Sequence, residues 1–230
     1  TLSALNADTG EPVTGFQPPR AIKVHGLMVH EKLLFIGSDN GLVCMDKKSG
    51  AIKWEQEIKL KGKNQFIIAD DSIFAHVDDS RRGKGSFFIC FDLETGREKW
   101  LQPTSDWAKS APDLILYQSG VLVSANKEGN DGVSAKTGKH LWSYTYSLIG
   151  HGGSYAKIMA MHDLVWIHTA NTQETKQYAW EGLDPQTGKV TKRIVQPKEF
   201  SIKHRCSYDV ATERFFMGGS MDFADLETGQ

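Results

Sequence analysis

The chain has 230 residues, 40% of them hydrophobic and 24% charged, and its 27 basic against 28 acidic side chains leave a formal charge of -1. That balance excludes the basic footprint of a nucleic-acid binder, and the length is ample for a sizeable core in one domain. No apolar run approaches the ~20 residues a bilayer-spanning helix needs, and the opening residues do not read as a signal peptide.

Taken in chain order, one short element keeps returning. "LNADTGEPVT" begins at Leu5, "MDKKSGAIKW" runs from Met45 to Trp54 and "FDLETGREKW" from Phe91 to Trp100. "VSAKTGKHLW" follows from Val133 to Trp142, "LDPQTGKVTK" from Leu183 to Lys192, and "ADLETGQ" closes at Gln230. The shared glycine stands at 10, 50, 96, 138, 188 and 229, in steps of 40, 46, 42, 50 and 41 residues. Periods of roughly 40–50 residues belong to stacked supersecondary units such as propeller blades.

Between these elements lie short runs rich in β-branched and aromatic residues: "LLFIGS" (33–38), "DSIFAHV" (71–77), "GVLVSA" (120–125), "LVWIHTA" (164–170) and "RFFMGG" (214–219). Each reads as a strand bounded by turn residues. In the second unit, strands are predicted at 65–69, 72–78, 86–92 and 98–102. Four antiparallel strands per ~45 residues make one blade, so the predicted class is all-β, a propeller of four-stranded antiparallel blades.

The recurring element has a physical reading. Asp92 accepts from the backbone N–H groups that follow it and Gly96 supplies positive φ, so "DLETG" turns the third strand into the fourth. Trp100, four residues past the glycine, is expected to fill the wedge between adjacent blades, as are Trp54 and Trp142. The structural repeat set is Asp46, Gly50, Trp54, Asp92, Gly96, Trp100, Gly138, Trp142, Asp184, Gly188, Asp225 and Gly229. Cys44 and Cys90 occupy one repeat position and read as small buried hydrophobes, while Cys206 stands apart; no Cys-x-x-Cys pair is present.

The repeated [Leu/Phe/Met]-Asp-x-x-[Thr/Ser]-Gly-x-x-x-Trp element resembles the PQQ-like (pyrroloquinoline-quinone) β-propeller repeat, over essentially the whole chain. The stretch from His204, "HRCSYDVATERFFMGGSMDFADLETG", is similar to large PQQ-like propeller proteins of planctomycete-type bacteria. The family includes quinoprotein alcohol dehydrogenases and a scaffold lipoprotein of outer-membrane assembly, and the resemblance implies a periplasmic or extracellular location. Four complete blades are expected at about 20–58, 62–102, 111–146 and 154–196, with part of an earlier blade in 1–14 and three strands of a later one in 203–230. Because family members close with seven or eight blades, residues 1–230 are expected to form one propeller domain that is a fragment of a larger ring; a closed five-bladed ring is the alternative.

In a four-stranded antiparallel blade the Thr-Gly turns share one face, and the second-to-third loops and blade connections share the other. The candidate binding face is therefore the loop face, where His151, His204 and Arg205 precede channel-lining strands, joined by Trp107, Lys109, Lys63 and Asn64. Cations and an indole at such a mouth suit an anionic or sugar-like ligand, while the competing role is to tie neighbouring blades together. Arg81, Arg82 and Lys84 form a basic tip that either engages an acidic partner or is solvated. No His-x-His or His-Glu-x-x-His spacing is present, so no metal site is predicted.

The expected function is a non-catalytic ligand- or protein-binding scaffold, with an unidentified protein, a glycan or a small anionic ligand as partner, or the rest of its own propeller, and no cofactor. The alternative is a PQQ-dependent dehydrogenase holding the quinone with calcium. Cofactor-using members carry an adjacent Cys-Cys pair, which this chain lacks.

Overall fold

The computed structural model describes residues 2–61, 66–78, 85–104, 114–126, 129–145, 158–170, 178–195, 208–211, 214–217 and 222–225. All regular structure among them is strand. The first sheet is β1 (Val24–His30), β2 (Leu33–Ser38), β3 (Gly41–Asp46) and β4 (Ile52–Gln56), and the second is β5 (Phe66–Ala69), β6 (Ser72–Asp78), β7 (Ser86–Asp92) and β8 (Glu98–Pro103). The third holds β9 (Leu114–Gln118), β10 (Val121–Asn126), β11 (Gly129–Ser134) and β12 (His140–Thr145), and the fourth β13 (Ile158–Met161), β14 (Leu164–Ala170), β15 (Tyr178–Leu183) and β16 (Val190–Val195). β17 (Tyr208–Ala211), β18 (Arg214–Met217) and β19 (Asp222–Asp225) form a three-stranded fifth. Every sheet runs in sequence order, with antiparallel neighbours.

The predicted strands of the second unit agree with β5–β8 to within one residue at each end. Residues 2–14, expected to supply the last strand or two of an earlier blade, form a turn held by the isolated antiparallel Leu5–Pro12 bridge and by bonds from Asn6 N to Glu11 O and from Val13 N to Ala4 O. Pro12 lacks the N–H that would extend the ladder.

Burial follows from strand position. β2 is buried at every residue and β3 at all but its last, so both read as continuous apolar runs. β4 alternates half-buried with exposed residues, which is why "IKWEQ" alternates apolar with charged. The ladder between the third and fourth strands shifts register after Cys44, Cys90, Gly132 and Gly182, the same place in four sheets. That shift is the bulge demanded by the glycine turn.

The chain divides into two compact units, residues 1–115 with 136–139, and residues 116–135 with 140–230. In the first, Leu33, Phe35, Leu42 and Cys44 pack against Ile73, Ala75, Val77, Ile89 and Phe91 of the next sheet. Phe16 and Ile22 cover the opposite side of the first sheet, on Leu34, Ile36, Val43 and Met45. In the second unit, Val121, Val123 and Trp142 pack against Val165, Ile167 and Leu183, and Trp166, Trp180 and Ile194 form a further cluster.

Candidate functional site

Among the described residues the first two sheets have two unlike ends. At the turn end the charged residues of the repeat are used structurally. Asp46 Oδ1 accepts from Ser49 N at 2.7 Å and Ser49 Oγ at 2.7 Å, Asp92 Oδ1 from Thr95 N at 2.9 Å and Oγ1 at 2.7 Å, and Asp184 Oδ1 from Thr187 N and Oγ1, both at 2.8 Å. These bonds hold the Asp46 and Asp92 carboxyls below the ordinary carboxylate value. In the third copy Ser134 takes the aspartate's place. The turn glycines have positive φ: 77° at Gly50, 69° at Gly96, 73° at Gly138 and 67° at Gly188.

The tryptophans lock these turns to the blade before. Trp54 Nε1 donates to Leu93 O at 3.2 Å and Trp142 Nε1 to Pro185 O at 2.7 Å, in each case the carbonyl three residues before the next turn glycine. A Cβ on Gly96 would lie 2.5 Å from the Trp54 ring, one on Gly138 2.6 Å from the Trp100 ring, and one on Gly188 2.5 Å from the Trp142 ring. Trp142 is buried, and Trp54 and Trp100 are half-buried. The glycine thus answers two demands, a left-handed backbone and room for an indole.

The loop end of the first two sheets carries a different repeated pattern that sequence reasoning missed. Asp39, just past β2, is paired with Lys23 at 3.0 Å and with His25 Nε2. Asp78, the equivalent end of β6, is paired with Lys61 at 3.0 Å and lies 4.0 Å from Lys59. The registers Val24–Ser38 and Leu60–Val77 show why: each acid stands one residue beyond a pair whose other member is flanked by two nitrogen-bearing side chains, Lys23 and His25 or Lys59 and Lys61. Hydrogen bonds from Lys23 and then His25 lower the Asp39 pKa, and the Lys61 bond and charge lower that of Asp78. Beneath Asp78, His76 is fully buried against Phe88, with ring centroids 5.4 Å apart. Among the described residues neither His76 ring nitrogen has a hydrogen-bond partner, and burial and then Lys61 push its pKa down to about 4.

All seven predicted contact residues, His151, His204, Arg205, Trp107, Lys109, Lys63 and Asn64, lie outside the described residues, as do Arg81, Arg82, Lys84, Gly229 and Cys206. Asp225 is placed as the end of β19, opposite Arg214. Cys44 and Cys90 are buried free thiols, raised to about 12 and about 11 by burial. Among the described residues no group of three His, Cys, Asp or Glu side chains is arranged to hold a metal ion. No helix among them is long and apolar enough to cross a membrane.

A family model described as outer membrane protein assembly factor BamB matches residues 1–147 and, in an overlapping second match, 82–203. The BamB of Francisella tularensis subsp. tularensis is 28% identical over 109 residues, which are 47% of this chain and 22% of that protein. Among solved structures, BamB from Moraxella catarrhalis aligns with 94% of this chain and 62% of its own, at 16% identity and a TM-score of 0.56. A europium-containing methanol dehydrogenase aligns with 91% of this chain and 50% of its own, at 15% identity and a TM-score of 0.57. The chain thus spans less than two thirds of each of these proteins. Likeness to an assembly factor and to a dehydrogenase at such identities shows a β-propeller and leaves activity to be argued from the site.

Proposed function

This chain belongs to the PQQ-repeat family whose model carries the description outer membrane protein assembly factor BamB, and from that premise we propose that it is a non-catalytic scaffold that binds a protein through its loop ends. The observation that carries the reading is the unequal use of the two sheet ends. At the turn end the Asp, Thr and Gly of the repeat are spent on capping and on seating tryptophans. At the loop end Lys23, His25 and Asp39, then Lys59, Lys61 and Asp78, form a repeated rim of both charge signs. A mixed-sign rim complements another protein's surface and sets its orientation, whereas a polyanion would call for one sign.

Within this reading His151, His204, Arg205, Trp107, Lys109, Lys63 and Asn64 are retained as proposed contact residues, with a glycan or small anion as a secondary ligand class for them. The location proposed is periplasmic or extracellular, and the chain is proposed to be one arc of a seven- or eight-bladed ring.

Site-specific photocrosslinking in the native host tests the proposal. A photoreactive residue at Asn40 or Lys59, on the loop ends, is expected to trap one protein, and the same residue at Glu94 or Lys136, on the turns, to trap none. Crosslinks from the turns alone overturn the loop-face assignment. Dye reduction that depends on added quinone, calcium and an alcohol would return the chain to the oxidoreductases.

A further inference from the structure

At the turn end of the first two sheets one repeated place is filled in the second sheet and open in the first. In the second, Lys99, the residue before Trp100, donates to Asp71 O at 2.6 Å and to Ser72 Oγ at 3.0 Å, with Asp92 Oδ2 at 3.4 Å. The equivalent lysine of the first sheet is Lys53, just before Trp54. The backbone around it is the same. Glu31 and Asp70 share a φ of 48°, and Lys32 O accepts from Lys47 N at 2.8 Å as Asp71 O accepts from Leu93 N at 3.2 Å. Asp46 spends Oδ1 on its turn, as Asp92 does, which leaves Oδ2.

One substitution separates the two. Opposite the turn aspartate stands Ser72 in the second sheet and Leu33 in the first. Leucine offers no hydroxyl to an ammonium, and Lys53 makes no hydrogen bond or ion pair among the described residues, acting on Asp46 through charge alone. A cavity of about 290 Å³ lies there, lined by buried Leu33 and by the bases His30, Lys32 and Lys53. Three acids, Glu31, Asp46 and Glu94, complete its wall. A space of that size suits a ligand of roughly ten heavy atoms. A ligand of one sign is opposed whichever sign it carries, since an anion meets Glu31 and Glu94 and a cation meets Lys32 and Lys53.

We propose that this cavity binds the zwitterion of a free α-amino acid with a short apolar side chain. The second sheet shows what the place receives, a primary ammonium held between a turn carboxylate and the carbonyl of the preceding hairpin. In the first sheet Asp46 Oδ2 and Lys32 O hold those positions, and a carbonyl that already accepts one bond keeps a second lone pair. The ligand's ammonium takes them, with Glu31 and Glu94 adding charge of the right sign. Its carboxylate pairs with Lys53, the ammonium that Leu33 leaves unspent, and its side chain lies on Leu33. The site is at the opposite sheet end from the protein-binding rim proposed above and does not rest on it.

Isothermal titration of the chain with leucine tests the proposal, with N-acetyl-leucine and leucinamide each removing one of the two charges. Saturable one-to-one binding of leucine is expected, and at least tenfold weaker binding of both derivatives. Lys53→Met and Glu94→Gln, both at exposed positions, should each weaken leucine binding at least tenfold and keep the wild-type melting temperature. Leu33→Ser gives Lys53 the hydroxyl that Lys99 has, so it should close the site and abolish binding, with a melting scan to confirm that the chain stays folded. Asp78→Lys, on the loop end, should bind leucine unchanged, which separates this site from the function proposed above. Absent saturation, or binding indifferent to Lys53 and Glu94, overturns the proposal. So does leucinamide binding as tightly as leucine, because the occupant would then be a peptide N-terminus and not a free amino acid.

Discussion

The ring of Trp54 lies against Gly96 of the next sheet so closely that a Cβ on that glycine would come within 2.5 Å of it, while Trp54 Nε1 donates to Leu93 O in the same turn. The contact joins two sheets through one side chain and one missing side chain, and it recurs with Trp100 at Gly138 and Trp142 at Gly188.

Gly96→Ala separates the two demands on that glycine. Left-handed backbone costs about 1–2 kcal/mol for a residue with a Cβ, and crowding a filled site costs about 1–3 kcal/mol more. Denaturant unfolding is expected to show a loss of about 2–4 kcal/mol. Gly120→Ala is the control: its φ is 80° but nothing lies within 4 Å of the added methyl, so only the backbone part should appear. Equal losses at the two positions would show that the indole contact contributes nothing.

Trp142 is buried among Val121, Val123, Val165, Ile167 and Leu183. Trp142→Ala is expected to destabilise by about 3–5 kcal/mol, and Trp142→Phe, which keeps most of the apolar area but loses the bond to Pro185 O, by about 1–2 kcal/mol. Calorimetric or denaturant midpoints check both, and an alanine variant as stable as wild type would refute the seat as a source of stability.

How much of this was legible in the sequence depends on distance along the chain. "LLFIGS" and "DLETG" carry their own strand and turn signals, so β2, the bulge and the positive φ at Gly96 follow from local chemistry. The partner of each tryptophan lies a whole repeat away, and the wedge reading placed the ring between blades without naming the turn glycine as its seat. The Asp39 and Asp78 clusters were missed because Lys23, Lys59 and Lys61 sit outside the strands and His25 at the start of β1, where only the registers Val24–Ser38 and Leu60–Val77 reveal the equivalence. The loop residues chosen from sequence have no periodic signal, and they lie outside the described residues.

Cys44 and Cys90 should be chemically silent in the native state. Burial raises them to about 12 and about 11, so at pH 8 the thiolate fraction is no more than roughly one part in a thousand, and neither sulfur is accessible. With Cys206 replaced by Ser, a disulfide reagent is expected to react at the rate of global unfolding and at full rate in denaturant. Rapid labelling of the folded chain would refute the packing role.

His76 should write its own signature into the stability–pH curve. It is 0% exposed on β6, flanked by Ser72, Phe74 and Asp78 at alternate positions and in tilted ring contact with Phe88 of β7, with Lys61 close by. Its folded pKa of about 4 lies below the ordinary 6.5, because the fold excludes the imidazolium. The unfolded chain therefore binds the proton first as pH falls. Stability is full above pH 6.5, declines between 6.5 and about 4, and below that window has lost about 3 kcal/mol from this group. Asp78 beside it is lowered from 3.8 and titrates beneath the window, and the wild-type-minus-variant difference cancels groups elsewhere such as Asp131, which burial raises. His76→Leu removes the titrating group, so the difference between wild-type and variant unfolding free energies should change by that amount between pH 7 and pH 4. A difference that stays constant across the window would mean that His76 is protonated in the fold through a partner, and that its burial is paid for in another way.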